Sequence, residues 1–229
     1  SRLPETPREG AQALYFPACI NRIFGRPAGA APDSVDLPRA VVELGRRSGQ
    51  PVWIPNDVAG DCCGTPWSSK GYKEGFTYQA TKIVRDLWQW SDEGALPIIV
   101  DAASCTHGLL GNVPEALSDA ELKLWNQLRI MDVVEWLRDE VAPHLPIVHS
   151  MGKIAVHPTC STHHMGISDD LVALAGLCGE AKVPEGAMCC GSAGDRVMLH
   201  PELVESATRE ERTSLEAEDF DAFVSDNRT

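Results

Sequence analysis

An internal repeat is the feature that most constrains the fold of this chain. Each half reads in the same order: strand, lone cysteine, helix, strand, Cys-Cys-Gly triplet, helix and strand. The lone cysteines are Cys19 and Cys160, and the triplets span 62–64 and 189–191. Strands that alternate with helices favour a parallel sheet with right-handed crossovers. The sequence therefore predicts an α/β protein built from two similar βαβαβ repeats, each with a small parallel sheet.

The individual elements are predicted from hydrophobic periodicity and from capping and turn residues. Strands are expected at 12–17, 51–55, 96–100, 153–158, 181–184 and 220–224. Helices are expected at about 35–47, 70–90, 168–178 and 201–217. A further amphipathic helix over 119–141 is predicted to bridge the halves, and a segment rich in Pro and His follows it as a linker.

These elements divide the chain into a first repeat over 1–118, a bridge and linker over 119–152, and a second repeat over 153–229. The first repeat closes on Cys105, five residues after Val100. Five residues after Val224, the corresponding residue of the second repeat, is Thr229. The second repeat is therefore expected either to be one cysteine short or to be truncated before its last cysteine.

Seven of the eight cysteines lie just beyond predicted strand ends. All strand-to-helix loops of a parallel sheet emerge at its carboxyl edge, which is where such sheets bind ligands. The thiols of each half should therefore converge there. The predicted metal ligands are Cys19, Cys62, Cys63 and Cys105 in the first half, and Cys160, Cys189 and Cys190 in the second. The eighth, Cys178, lies on an apolar helix face and is predicted to be a packing residue.

Four thiolates match the ligand count of an iron–sulfur cluster or of a tetrahedral zinc ion. Neither the Cys-x-x-Cys knuckles of zinc fingers nor a ferredoxin-type run occurs. Gly64 and Gly191 would permit a turn that points both preceding thiols inward, and would let the backbone approach a bulky cofactor. A vicinal disulfide is the strained alternative for each pair.

Histidines lie close to both sets of cysteines. His163 or His164 would be able to stand in for the missing fourth ligand of the second half, and His107 and His157 are close enough in sequence to complete a site or carry a proton. The alternative is that all of them are ordinary helix-cap or surface residues.

The charge of the chain limits its partners and its location. The formal net charge of -13 leaves no electrostatic footprint for nucleic acid or for anionic lipid. No run approaches the roughly 20 apolar residues of a membrane helix. The polar start, residues 1–10, does not resemble a signal peptide. We therefore expect a cytoplasmic protein with reduced thiols, with peripheral attachment at the inner membrane as an alternative.

The cysteine pattern and its flanking residues resemble those of a known family. The stretches that carry the resemblance are Tyr15-Phe16-Pro17-Ala18-Cys19, Cys62-Cys63-Gly64, His157-Pro158-Thr159-Cys160 and Cys189-Cys190-Gly191-Ser192-Ala193-Gly194. They resemble the cysteine-rich CCG domain, which occurs twice in one of the subunits of heterodisulfide reductase and also in the iron–sulfur subunit of glycolate oxidase. The same stretches are similar to the C-terminal part of FAD- and iron–sulfur-dependent D-lactate dehydrogenases.

This resemblance implies an electron-transfer module that is not catalytic alone. It implies an iron–sulfur cluster of the 4Fe-4S type, with electrons arriving from FAD on an upstream domain that oxidises a 2-hydroxy acid. It also implies a ferredoxin-like domain of the same protein and a quinone or cytochrome-type acceptor. The chain departs from the family at Ala102, because the family's motif often closes on Cys-x-x-Cys and here only Cys105 is present. That difference leaves a four-cysteine site.

Two other functions remain open from the residues. A zinc ion on the same ligands would make the chain a structural or docking domain, because zinc has no redox chemistry. Alternatively, the adjacent thiols Cys62 and Cys63 would act directly in thiol–disulfide exchange, as the likeness to heterodisulfide reductase suggests. A fragment handled in air is expected to be apo or to carry zinc.

Overall fold

The computed structural model describes residues 3–24, 34–147, 151–192 and 194–227. Contacts within the chain divide it into two compact units, Ser1–Leu145 and Pro146–Thr229. Each unit is an α/β structure with its own all-parallel sheet. The predicted fold class is therefore confirmed.

The first unit contains a four-stranded sheet. Its strands are β1 (Ala13–Phe16), β2 (Val52–Trp53), β3 (Ile98–Val100) and β4 (Ile130–Asp132), in the spatial order β2-β1-β3-β4. Every residue of β1 and β3 is buried. Continuous apolar strands of this kind are typical of parallel sheets that helices cover on both faces.

Seven α-helices accompany this sheet in the described part of the first unit. They are α1 (Cys19–Phe24), α2 (Leu37–Ser48), α3 (Thr65–Ser69), α4 (Lys73–Trp90), α5 (Ala103–His107), α6 (Asp119–Trp125) and α7 (Val133–Trp136). Short 3-10 helices occupy Val58–Gly60, Val113–Ala116 and Ala142–His144, and π-helical turns occupy Gly108–Asn112 and Leu137–Val141.

The two long helices form where the sequence predicts them. Asp36 caps α2 by accepting a hydrogen bond from the N–H of Arg39, and Gly49 ends the helix in the left-handed region at φ 77°. The buried residues of α4 include Ala80, Ile83, Val84 and Leu87, the spacing of an amphipathic helix that faces a core. These residues form a single apolar stripe on α4, and the packing of that stripe into the core stabilises the helix.

The predicted bridging helix over 119–141 is wrong as a continuous helix. The segment instead forms α6, then β4, which pairs with β3 in the first sheet, then α7. A capping box of Ser118 with Glu121 starts α6 at the predicted position, and a second box, of Asp132 with Glu135, starts α7 after the pairing of β4 with β3 has interrupted the helix. The contacts group this segment, up to Leu145, with the first unit.

The second unit contains a three-stranded sheet and five α-helices in its described residues. The strands are β5 (Lys153–His157), β6 (Glu180–Lys182) and β7 (Ala222–Ser225), in the order β6-β5-β7. The helices are α8 (Cys160–Met165), α9 (Ser168–Gly176), α10 (Arg196–Leu199), α11 (Pro201–Ala207) and α12 (Arg209–Glu216). The helix predicted over 201–217 is thus divided at Thr208.

The two sheets repeat one topology. In each, the first strand of the repeat is central and pairs with the second and third strands on either side, as β2-β1-β3 and β6-β5-β7. The register is also repeated, since Phe16 pairs with Val100 and His157 with Ser225. Among the described residues, no helix is both long and apolar enough to cross a lipid bilayer.

Candidate metal centre

Each lone cysteine begins a short helix directly after the central strand. Cys19 is the first residue of α1 and Cys160 the first of α8, and each lies three residues beyond the end of its strand. Thr159 caps α8 through its hydroxyl, which accepts from the N–H of Thr162. These two short helices were not predicted, although they fix the positions of both lone thiols.

Each Cys-Cys-Gly triplet forms the same turn. Gly64 and Gly191 have φ angles of 86° and 69°, in the left-handed region that favours glycine. The N–H of each glycine donates to the first sulfur of its pair, at 3.4 Å for Cys62 and 3.3 Å for Cys189. The geometry agrees with the predicted glycine turn. A role of either glycine in binding a cofactor stays a prediction.

The four thiols of the first unit form one continuous chain of contacts. The Sγ atoms of Cys63 and Cys105 lie 3.0 Å apart. Cys62 lies close enough to Cys19 on one side and to Cys63 on the other for both to shift the pKa of its thiol. Residues from the start of α1, from the Cys-Cys-Gly turn and from α5 thus meet at the carboxyl edge of the first sheet. We refer to these four residues as the first cysteine set.

The inner members of this set are enclosed by the polypeptide. Cys63 and Cys105 are buried, whereas Cys19 and Cys62 are partly exposed. The Thr65 hydroxyl lies 3.3 Å from the Cys63 sulfur. The Gln79 side chain on α4 donates to the carbonyl oxygen of Cys62 at 2.9 Å. The turn is therefore held from the helix that packs behind it, and sequence reasoning did not identify either Thr65 or Gln79.

Crowding raises the pKa values of three of the thiols, those of Cys19, Cys62 and Cys63. The pKa of Cys19 is raised by its hydrogen bond with Cys62 and by burial, and that of Cys63 by its hydrogen bond with Cys105. For Cys62 the hydrogen bond with Cys19 lowers the pKa, but the contact with Cys63 and burial outweigh it. Packed thiols without a cation therefore resist ionisation. A bound metal would supply the positive charge that stabilises the thiolates.

Arg22 brings a positive charge to the edge of the first set. Its guanidinium donates to the carbonyl oxygens of Val58 and Asp61, which precede the cysteine pair. The charge of Arg22 acts to lower the pKa of Cys19, although it does not overcome the opposing effects of Cys62 and burial. Arg22 therefore ties α1 to the triplet loop and partly balances thiolate charge.

The donor set fits an iron–sulfur cluster or zinc, because all four groups are soft sulfur ligands at one sheet edge. Among the described residues, no three His, Cys, Asp or Glu side chains already surround a common point at which a metal ion would be held. The thiols lie instead in a hydrogen-bonded row.

The thiols of the second unit are less enclosed than those of the first. Cys160 and Cys189 are exposed and Cys190 is partly exposed, and no hydrogen bond joins their sulfurs within the described part of the chain. Thr229, the predicted fourth position, lies outside the described residues. The observed register makes Ser225, and not Val224, the counterpart of Val100.

The histidines near the second set are engaged elsewhere. Nδ1 of His163 lies 2.9 Å from the Ser168 hydroxyl, and Nδ1 of His157 lies 2.6 Å from a Glu211 carboxylate oxygen. Neither contact is directed at a cysteine. Cys178 is partly buried after α9, and its backbone pairs with Ala175 and Met151. It therefore lies in the turn after α9 and not on a helix face as predicted, and its packing role stays a prediction.

Comparison with known proteins decides the family. The family model of the cysteine-rich domain, CCG, matches residues 13–109 and 154–229, which are the two repeats. The chain belongs to the CCG family. The matched ranges include all seven cysteines that lie at the strand ends.

A curated protein is similar to this chain over most of the chain's length. The chain is 27% identical over 184 residues to the protein named "Glycolate oxidase iron-sulfur subunit" of Escherichia coli (strain K12). The aligned part covers 76% of this chain and 44% of the relative. The chain thus spans less than half the length of the curated relative that it matches.

Proposed function

We propose that this CCG chain is an iron–sulfur electron-transfer module of a flavin-dependent 2-hydroxy-acid oxidoreductase. The observation that carries the proposal is the continuous contact among the thiols of Cys19, Cys62, Cys63 and Cys105. Four soft ligands gathered at one sheet edge, with raised pKa values at Cys19, Cys62 and Cys63, are suited to a metal cofactor and not to free thiol chemistry. The name of the curated relative supports the same class of function.

The first cysteine set would hold a 4Fe-4S cluster. Such a cluster supplies reversible one-electron transfer at a potential set by hydrogen bonds to sulfur and by solvent exposure. The N–H of Gly64 is one such donor, because it points at the Cys62 sulfur. Burial of Cys63 and Cys105 shields one side of the site from water, and the partly exposed Cys19 and Cys62 leave the other side open to a redox partner.

The second set would form a separate, more exposed site. Cys160, Cys189 and Cys190 supply three thiols, and Gly191 repeats the hydrogen bond of Gly64. Three protein ligands leave one position of a metal site to be filled from elsewhere. We propose that this set binds metal more weakly than the first set does.

The partners follow from the class of enzyme. We propose that electrons come from FAD on another domain that oxidises a 2-hydroxy acid, D-lactate being the specific candidate, through a ferredoxin-like domain. The electrons would then pass from this module to a quinone or cytochrome-type acceptor. We propose a cytoplasmic location, with peripheral contact at the inner membrane if the acceptor is a quinone. The acidic surface argues against nucleic acid as a partner.

A dithiol–disulfide function is the second candidate, because Cys63 and Cys105 lie 3.0 Å apart. Their oxidation to a disulfide would release two electrons and two protons to an acceptor. Thiol exchange needs an accessible thiolate, whereas Cys63 is buried and its pKa is raised. The structure therefore favours metal binding over direct exchange at this pair.

The test is anaerobic reconstitution of the chain with iron and sulfide. We expect bound iron and acid-labile sulfide, together with visible absorbance that dithionite bleaches and air restores. A colourless protein with stoichiometric zinc and no iron would contradict the proposal and favour the structural zinc domain. Disulfide-reducing activity that persists in a metal-free preparation would instead favour the dithiol function.

A further inference from the structure

A buried carboxylate follows the third strand of each repeat. Asp101 comes directly after β3, and Asp226 directly after β7. The registers Phe16–Val100 and His157–Ser225 make the two aspartates equivalent. Their exposed fractions are 2% and 8%. Neither residue was identified from the sequence, although an aspartate after the third strand in both halves is a signal that a comparison of the repeats reveals.

Asp101 connects the segment that bears Cys19 with the segment that bears Cys105. One carboxylate oxygen accepts from the Tyr15 hydroxyl at 2.5 Å, and the other accepts from the N–H of Ala18 at 2.6 Å. The Asp101 carbonyl oxygen accepts from the Asn21 side chain at 3.1 Å. Ala18 directly precedes Cys19, and Asp101 lies four residues before Cys105.

Asp226 makes the corresponding connection in the second unit with different donors. Its carboxylate accepts from the hydroxyls of Thr159, at 3.4 Å, and Thr162. Thr159 directly precedes Cys160, as Ala18 precedes Cys19. A carboxylate at the same place in both repeats, bound each time to the segment around the lone cysteine, indicates a shared role that does not depend on particular donors.

We propose that Asp101, and Asp226 in the second unit, are positioning residues that fix the lone-cysteine loop against the loop of the third strand and so set the spacing of the metal ligands. The proposal rests on the proposed metal-binding function. Loss of such an outer hydrogen bond is expected to cost about 10–100-fold in metal affinity, because the outer partners orient the ligands. Burial makes the effect large, since the donors released inside the protein have no water to replace the carboxylate.

The test uses Co²⁺ as the probe, with the full chain reduced and kept free of oxygen. All variants are made in a Cys190→Ser background, so that the signal reports on the first set. Affinity is measured by competition with a chelator, and the visible spectrum reports tetrahedral thiolate coordination. Asp101→Asn is expected to bind about 10–100-fold more weakly with an altered spectrum, and Tyr15→Phe to lie between it and the parent chain.

Two controls are available in the chain. Tyr78→Phe removes the hydroxyl of an exposed tyrosine and should change neither affinity nor spectrum. Asp226→Asn removes the equivalent carboxylate of the other unit and should leave the first set as it was. Circular dichroism confirms the fold of each variant. If Asp101→Asn does not fold, Tyr15→Phe carries the test, because it keeps the buried ring.

The outcomes separate the two proposals. Tight Co²⁺ binding by the parent chain, with an unchanged affinity and spectrum in both Asp101→Asn and Tyr15→Phe, would overturn the positioning role alone. Absence of Co²⁺ binding by the parent chain would overturn the metal-binding function and the positioning role with it. Loss of affinity in Asp226→Asn equal to that in Asp101→Asn would show a general effect on the fold and would also overturn the positioning role.

Discussion

The two units share a backbone arrangement but differ in how closely and how deeply their cysteine thiols are packed. Each places a lone cysteine at the start of a short helix and a Cys-Cys-Gly turn beside it, with the glycine N–H directed at sulfur. In the first unit the thiols are in contact and two are buried. In the second, two thiols are exposed and their sulfurs share no described hydrogen bond. The shared topology positions the loops, but it does not by itself bring the thiols together.

The surroundings of the first set account for the difference. Gln79 and Thr65 contact its cysteine pair from α4 and α3. The extra strand β4 adds Asp132, which accepts from the hydroxyl of Thr106 at 2.6 Å, one residue after Cys105. The second sheet has three strands and ends at β7 in its described part. Side-chain packing and the fourth strand thus convert a shared loop arrangement into a compact thiol cluster.

The largest expected effect comes from removing one buried thiol. Cys63→Ser should abolish iron binding by the first set, because Cys63 is the link between Cys62 and Cys105 and a hydroxyl is a poor ligand for iron. Cys190→Ser should leave most of the iron in place. Iron and sulfide analysis after anaerobic reconstitution measures both. Cys178→Ser is the matched control, and a loss of iron there equal to that in Cys63→Ser would contradict the assignment.

Thiol accessibility should differ between the units in the apo protein. Cys160 and Cys189 are exposed and should be alkylated first, whereas Cys63 and Cys105 are buried and require local opening. We expect a difference in rate of about 100-fold, because burial and a raised pKa both slow the reaction of Cys63. Mass spectrometry of peptides after timed alkylation measures it. Equal rates at Cys63 and Cys189 would show that the buried cluster does not exist in solution.

The glycine of the Cys-Cys-Gly turn should contribute equally to the stability of both units. Gly64→Ala and Gly191→Ala should each lower the free energy of unfolding by about 2 kcal/mol, because an L-residue is strained at positive φ. The new Cβ would also lie 3.0 Å from the Phe76 ring at Gly64, and 3.0 Å from the Cβ of Ala207 at Gly191. Denaturant unfolding measures the loss.

Gly10→Ala is the control for that pair. Its φ of 77° is similar, but a Cβ there meets nothing within 4 Å, so only the cost of the backbone conformation remains, about 1 kcal/mol. An equal loss at Gly10, Gly64 and Gly191 would mean that contacts around the turns add nothing.

The smallest expected effect is that of the hydrogen bond behind the first pair. Gln79→Ala leaves the carbonyl of Cys62 without its donor from α4, which should cost about 1–2 kcal/mol of unfolding free energy. Gln127→Ala removes an exposed hydrogen bond of the same 2.9 Å length, to Lys123, and should cost less than about 0.5 kcal/mol. Denaturant unfolding of the two variants side by side measures both losses of unfolding free energy. Equal losses would show that α4 does not support the turn.

The sequence predicts those structural features that depend on residues close together in the chain. The repeat, the parallel strands and the glycine turns follow from periodicity and from the positions of Gly64 and Gly191, and the structure agrees with them. The division of 119–141 into α6, β4 and α7 was not predicted. Its apolar spacing suits a helix, whereas pairing of β4 with β3 is a tertiary contact that overrides that preference.

The composition of the first set was predicted, but its environment was not. Placement after strand ends was sufficient to expect that Cys19, Cys62, Cys63 and Cys105 converge. Which thiols are buried, and that Asp101, Thr65 and Gln79 support them, depends on packing between segments far apart in the chain. Likewise, both units carry the same triplet in sequence, and only the structure distinguishes an enclosed set from an exposed one.

X-ray absorption at the iron edge of the anaerobically reconstituted chain tests the central claim most directly. We expect iron ligated only by sulfur, with scattering from neighbouring iron atoms, and we expect this signal to persist in Cys190→Ser and to disappear in Cys63→Ser. Iron ligated by nitrogen or oxygen, iron without iron neighbours, or a signal that survives in Cys63→Ser would contradict an iron–sulfur cluster on the first cysteine set.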